Sequence, residues 1–164
     1  MDSSDLIAWR PVARRVSFAE QDVLAPLSRA FDMKIHEDIC TYFSAYWSGG
    51  LEATCEFGAV SLLLLWNEED AVRLIENQIG HVLAQRRART PLTVFFACGA
   101  TDTDDIYSVG NHSGCVMLEQ PGRKPLRDVA PDLAAFLNML EPAPPPARSF
   151  DLREASTCLK VRPA

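Results

Sequence analysis

The stretch NEEDAVRLIENQIGHVLAQRR, from Asn67 to Arg87, decides the architecture. Val72, Ile75, Ile79, Val82 and Leu83 recur at helical spacing, which predicts a helix over Glu68–Arg87 with one apolar face and Asn67 as its N-cap. Glu68, Glu69 and Asp70 fall in the first turn, and Arg86, Arg87 and Arg89 at or just past the end. That polarity suits the helix dipole, so local stabilisation explains both charge runs without a partner.

Short apolar runs flank the helix on both sides. Leu51–Phe57 alternates and Val60–Trp66 is nearly continuous, with Gly58 and Ala59 between them, as in a hairpin with one doubly covered strand. After Pro91, Leu92–Cys98 reads as a central strand. The polar loop Gly99–Asp105 then leads to a second hairpin, with strands Ile106–Val109 and Cys115–Glu119 around a turn at Gly110–Gly114. Further out, helices are predicted over His36–Trp47, stopped by Ser48, Gly49 and Gly50, and over Ala19–Met33, where Pro26 either kinks the helix or marks a late start. Leu6–Val12 reads as a short strand made an edge by Pro11, and Asp132–Leu140 as a helix with Pro131 at its first position. The expected fold is α+β, a mostly antiparallel sheet with helices packed on it. It occupies residues 1–141 as one domain, followed by a Pro-rich tail over 142–164, where Pro142, Pro144, Pro145 and Pro146 favour an extended polyproline conformation.

Length and composition narrow the function. At 164 residues a single core needs no disulfide or metal to hold it. A formal charge of -6 argues against a nucleic-acid binder that neutralises phosphates and favours a basic partner surface. The apolar run Val60–Trp66 is far short of the ~20 residues a membrane-spanning helix needs, and the N-terminus, with Asp2 and Asp5, is no secretory signal. Cys40, Cys55, Cys98, Cys115 and Cys158 are odd in number with no C-x-x-C pair, which predicts reduced thiols in a cytoplasm.

Motifs for chemistry are weak. His112 and Cys115 lie three apart and Cys98 is a possible neighbour across a sheet, but the paired spacings of a structural zinc site are missing. Gly110, Asn111, His112, Ser113 and Gly114 place Ser and His in one loop, yet the order is not that of a nucleophile elbow, and Asn and Gly serve a hairpin turn. Pro121, Gly122, Arg123 and Lys124 lack the spaced glycines of a phosphate loop. No catalytic residue, metal or cofactor is therefore expected. The candidate contact residues are acidic: Glu37, Asp38, Glu52, Glu56, Asp102, Asp104 and Asp105, which would attract a cationic loop if they converge on one side.

Arg29-Ala30-Phe31-Asp32, Phe57-Gly58, Trp66 followed by Asp70, Glu76 to His81, Asn111 with Ser113-Gly114, Gly122-Arg123-Lys124 and Asp132 to Leu140 resemble the Syd family in order and approximate spacing, over residues 7–141. The resemblance implies a branch of the SUKH superfamily with an α+β fold and no enzymatic activity. It also implies a cytoplasmic protein, peripheral on the inner membrane, whose acidic concave surface receives the basic cytoplasmic loops of the translocon subunit SecY. Related SUKH domains serve as immunity proteins that block toxins, which makes a cognate toxin the alternative partner. The family's helical segment of a few tens of residues ahead of Trp9 and Pro11 is expected to be missing, and the tail lies outside the family pattern. Among the motif residues, Asn77 and His81 are four apart and read as structural, bonded to one another or to nearby backbone, while Trp66 reads as core.

Overall fold

A computed structural model describes residues 22–45, 50–99, 103–125 and 127–143. The predicted strand Leu6–Val12, the start of the first predicted helix, Tyr46 and Trp47, Asp102 and the chain after Ala143 lie outside the described residues. Among the described residues four helices and seven strands follow in the order α1 (Ala25–Phe31), α2 (Glu37–Ala45), β1 (Leu51–Cys55), β2 (Gly58–Leu62), α3 (Glu68–Ala88), β3 (Thr93–Cys98), β4 (Ile106–Gly110), β5 (Val116–Glu119), β6 (Arg127–Ala130), α4 (Leu133–Asn138) and β7 (Glu141–Pro142). All pairings are antiparallel, in the order β6-β5-β4-β3-β2-β1-β7, so the fold is α+β as the sequence predicts.

The sheet curls. In a flat sheet β6 and β1 would stand about 24 Å apart, five spacings of ~4.8 Å. Instead the Arg127 guanidinium of β6 sits 4.3 Å above the ring of Phe57, in the β1–β2 turn. A register shift between Phe95 and Ala97 on β3 marks a bulge, which adds local bend and twist. The connection through α4 joins the two outermost strands, β6 and β7, and Phe136 of α4 packs on Tyr107 of β4 and Phe96 of β3. Tyr42 of α2 continues that aromatic chain, 5.5 Å from Phe96, and its hydroxyl donates to Leu63 O at 2.9 Å. Burial pushes the Tyr42 phenol far above its ordinary range.

Caps set the helix ends. Asn67 accepts from the Asp70 N–H at 2.9 Å, as predicted for the start of α3, and Asp132 caps α4 by accepting from Ala135 N–H at 2.7 Å. Pro26 stands in the first turn of α1, so of the two alternatives for that proline the late start is correct. Asp32 ends α1 in the left-handed region (φ 49°), a conformation its short polar side chain tolerates.

Four sequence readings need correction. Strand β2 ends at Leu62, so the continuous apolar run to Trp66 is only half strand, and Trp66 is 55% exposed with its N–H donating to Asp70 Oδ2. The chain must turn from β2 into α3 there, and the indole stays outside the core. Strand β6 was not visible, because Arg127, Asp128 and Val129 are exposed or half-buried and carry no apolar alternation. Strand β7 was not visible either. It takes Pro142 into the sheet edge opposite Ala53, and Ala143 N–H donates to Glu52 O, so pairing reaches into the stretch read as tail. The fourth correction is the face of α3. Leu74, Gln78, His81, Val82 and Gln85 are buried, while Val72 (58% exposed) and Leu83 (41%) face water. The helix has turned a largely polar stripe inward because the sheet offers it polar partners.

Candidate functional site

Those partners form one buried cluster. Thr93, Ser108 and Glu119 share a sheet face by register, since Thr93 opposes Gly110, two residues along β4 from Ser108, and Glu119 opposes Ile106, two residues the other way. From α3, Gln85 Oε1 accepts from Thr93 N–H at 3.1 Å and its Nε2 donates to Thr93 Oγ1 at 2.5 Å. His81 Nε2 lies 3.0 Å from Thr93 Oγ1 and 3.3 Å from Glu119 Oε1, and Gln78 Nε2 donates to Phe95 O at 2.7 Å. The Thr93 hydroxyl donates to Glu119 Oε1. Burial pushes the Glu119 carboxyl up, but hydrogen bonds from His81 and Thr93 and the His81 charge outweigh it, so the group is held below the usual carboxylate range. Asn77 is not part of this cluster. His81 bonds across to the sheet and to Gln85, so the predicted Asn77–His81 pair is replaced, although the structural role read for His81 holds.

A second polar joint ties α2 to the β4–β5 turn. Asn111 Oδ1 accepts from His36 N–H at 3.0 Å and its Nδ2 donates to Lys34 O at 2.9 Å. Gly114 (φ 76°) passes so close that a Cβ there would sit 2.7 Å from His36 Nε2. The Asn, Ser and Gly of this turn are thus spent on geometry. Ser113 Oγ accepts from Cys115 N–H at 3.3 Å, and Ser113 and His112 are both exposed. Cys40, Cys55 and Cys115 are free thiols, and burial, then Asp22, pushes the Cys40 thiol up. Among the described residues no group of three or more His, Cys, Asp or Glu is placed to hold a metal ion. Among them, too, no helix is long and apolar enough to cross a membrane.

The acidic candidates fall into two groups. Glu52 opposes Ser61, Ser61 opposes Cys98, and Cys98 opposes Ile106, so Glu52 lies in the row that starts β4. Asp104 and Asp105 immediately precede that start, and Glu56 sits in the β1–β2 turn at the same end of the sheet. Glu37 and Asp38 open α2, beside Asn111 at the far end of β4. The four steps of β4 separate the groups by about 13 Å. The two groups thus stand at opposite ends of β4, and Asp102 lies outside the described residues.

Within each group some carboxylates already have partners. Glu52 Oε2 accepts from Ser61 Oγ at 2.6 Å, Asp105 Oδ1 accepts from Gln120 Nε2 at 2.9 Å, and Asp38 lies 3.9 Å from His36 Nδ1. Glu37, Glu56 and Asp104 are exposed. Asp105, after Cys55, also helps to raise the Tyr107 phenol, whose main cause is burial.

Comparison with known proteins is consistent across the domain. The family described as "Syd protein (SUKH-2)" matches residues 1–142. The chain is 42% identical over 142 residues to "Protein Syd" of Pseudoalteromonas atlantica, covering 86% of this chain and 73% of that one. It is 42% identical over 116 residues to "Protein Syd" of Hahella chejuensis, covering 71% and 59%. It is 38% identical over 139 residues to "Protein Syd" of Alteromonas mediterranea, covering 84% and 74%.

Proposed function

Because the chain belongs to the Syd family, we propose that it is a non-enzymatic protein-binding module whose partner is the SecY translocon subunit, met at the cytoplasmic face of the inner membrane. In this reading the basic cytoplasmic loops of SecY meet the acidic side chains. Glu52, Glu56, Asp104 and Asp105 form one contact region, and Glu37 and Asp38 form another. The single observation that carries it is family membership over residues 1–142, and the net charge of -6, which favours cationic partners, agrees with it. Two acidic groups about 13 Å apart suit a partner that presents more than one basic loop. The absence of catalysis is supported by the turn at Gly110–Gly114, where Asn111 and Ser113 are engaged with backbone.

The test is recovery of partners by the tagged chain from detergent-solubilised cells of its host, identified by mass spectrometry. SecY is the expected catch, lost in a Glu56→Lys, Asp104→Lys double variant and weakened as salt rises, because exposed pairs are screened over about 8 Å at physiological ionic strength. Recovery of a toxin in place of SecY overturns the translocon assignment and makes the chain an immunity protein. Recovery indifferent to salt overturns electrostatic recognition.

A further inference from the structure

An open groove of about 590 Å³ runs between α1 and α3. Its floor is apolar, from Val23, Ala25 and Pro26 on one side and Ala71, Val72 and Ile75 on the other. Ala71 and Ile75 are half-buried against the core, while the inward turn of Gln78, His81 and Gln85 leaves Val72 on the outside. Val72 is 58% exposed at the middle of that surface, a high value for a β-branched apolar side chain on a helix whose opposite face is packed. The rim carries Asp22, Glu68 and Glu76 against one cation, Arg29.

We propose that this groove docks a partner segment with an apolar centre flanked by lysine or arginine. The proposal rests on the reading that the chain works by binding a protein, and it adds a surface distinct from the acidic sheet ends. Burial of the apolar floor supplies affinity, and the acidic rim selects for cationic flanks and repels acidic ones. The same rim argues against the other occupants. A second copy docking through this face would bring three acids against three acids, and an anionic lipid surface would be repelled in the same way.

The test titrates the full chain with a short fluorescent peptide that has a leucine-rich centre and lysines at both ends, read by anisotropy. A matching peptide with glutamates at its ends is the control. The lysine peptide is expected to bind at least about tenfold more tightly than the control. Val72→Glu is expected to weaken it about tenfold or more, and Glu76→Lys by about threefold. Both sites are exposed, and an unchanged thermal melt establishes that the variants fold. Absence of binding by the lysine peptide, or equal binding to wild type and Val72→Glu, overturns the proposal. A concentration-dependent mass that Val72→Glu abolishes, with no peptide bound, assigns the groove to a second copy instead. SecY recovery by the wild-type chain alongside a failed titration overturns the groove alone and leaves the acidic-surface reading standing.

Discussion

The aromatic chain from Phe96 through Phe136 to Tyr107 and the polar stripe from Gln78 through His81 and Gln85 to Glu119 are buried equally well, by different physics. Aromatic rings gain from area alone, with edge-to-face geometry adding a smaller increment, so any apolar neighbour of the right shape serves. The polar stripe is tolerable only because specific donors meet specific acceptors, as when Gln85 engages both the N–H and the hydroxyl of Thr93 and Thr93 in turn engages Glu119. The first region can be read from one element at a time. The second exists only as a match between two elements.

The largest effect that separates the regions is expected from Phe136→Ala. Phe136 is fully buried and touches both Phe96 and Tyr107, so its removal leaves a cavity that costs about 4 kcal/mol, nearly the same at every pH. Urea unfolding at pH 7 and pH 4 checks both the size and the indifference to pH. If the loss varied strongly between the two, the aromatic region would share the electrostatics of the stripe, and the contrast would fail.

His81→Leu is expected to cost somewhat less, about 3 kcal/mol at pH 7, because it leaves the Glu119 carboxylate buried beside a hydrocarbon. Here the loss depends on pH, and its sign follows from the lowered Glu119 pKa. A group held lower in the folded state than the ordinary glutamate value near 4.3 contributes stability that is present above that value and lost as pH falls through the folded one. The penalty of His81→Leu should therefore shrink as the buffer is acidified, which the same urea midpoints measure.

Glu119→Gln sharpens the point with a smaller change, about 2 kcal/mol at pH 7, since it keeps the shape and an acceptor for Thr93 while removing the charge. Its thermal midpoint should fall less steeply than wild type between pH 5 and pH 3, two values chosen to bracket the ordinary carboxylate range. An acid limb as steep as that of wild type would place the titration at other carboxylates and deny Glu119 its role.

What was legible in the sequence tracks this division. The 3.6-residue period of α3, its Asn67 cap, the Leu92–Cys98 strand and the hairpin turn at Gly110–Gly114 were all readable, because each is fixed by local pattern or turn chemistry. The face that α3 buries was not. Val82, Ile75 and Ile79 of the apolar set do pack on the core, but hydrophobicity also favoured Val72 and Leu83 over Gln78, His81 and Gln85, whose helical spacing is as good. Only the positions of Thr93 and Glu119 on the sheet decide between them, and those depend on strand order. The division of the acidic candidates into two groups was illegible for a similar reason, since Glu37 and Asp105 are sorted to opposite ends of β4 by pairings that no single segment encodes.

The smallest effect is expected at Trp66, outside both regions. Trp66 follows an apolar run and would count as core by pattern, yet it is 55% exposed where the chain leaves β2 for α3. Its backbone, through the N–H bonded to Asp70, holds the turn, and the ring does not. Trp66→Ser should therefore change stability by no more than about 0.5 kcal/mol, as surface substitutions away from caps and cores do. A loss above about 2 kcal/mol in urea unfolding would mean that the indole packs as the sequence suggests. In that case the run Val60–Trp66 would be a single buried strand, and the rotated face of α3, which starts from the turn Trp66 occupies, would lose its anchor.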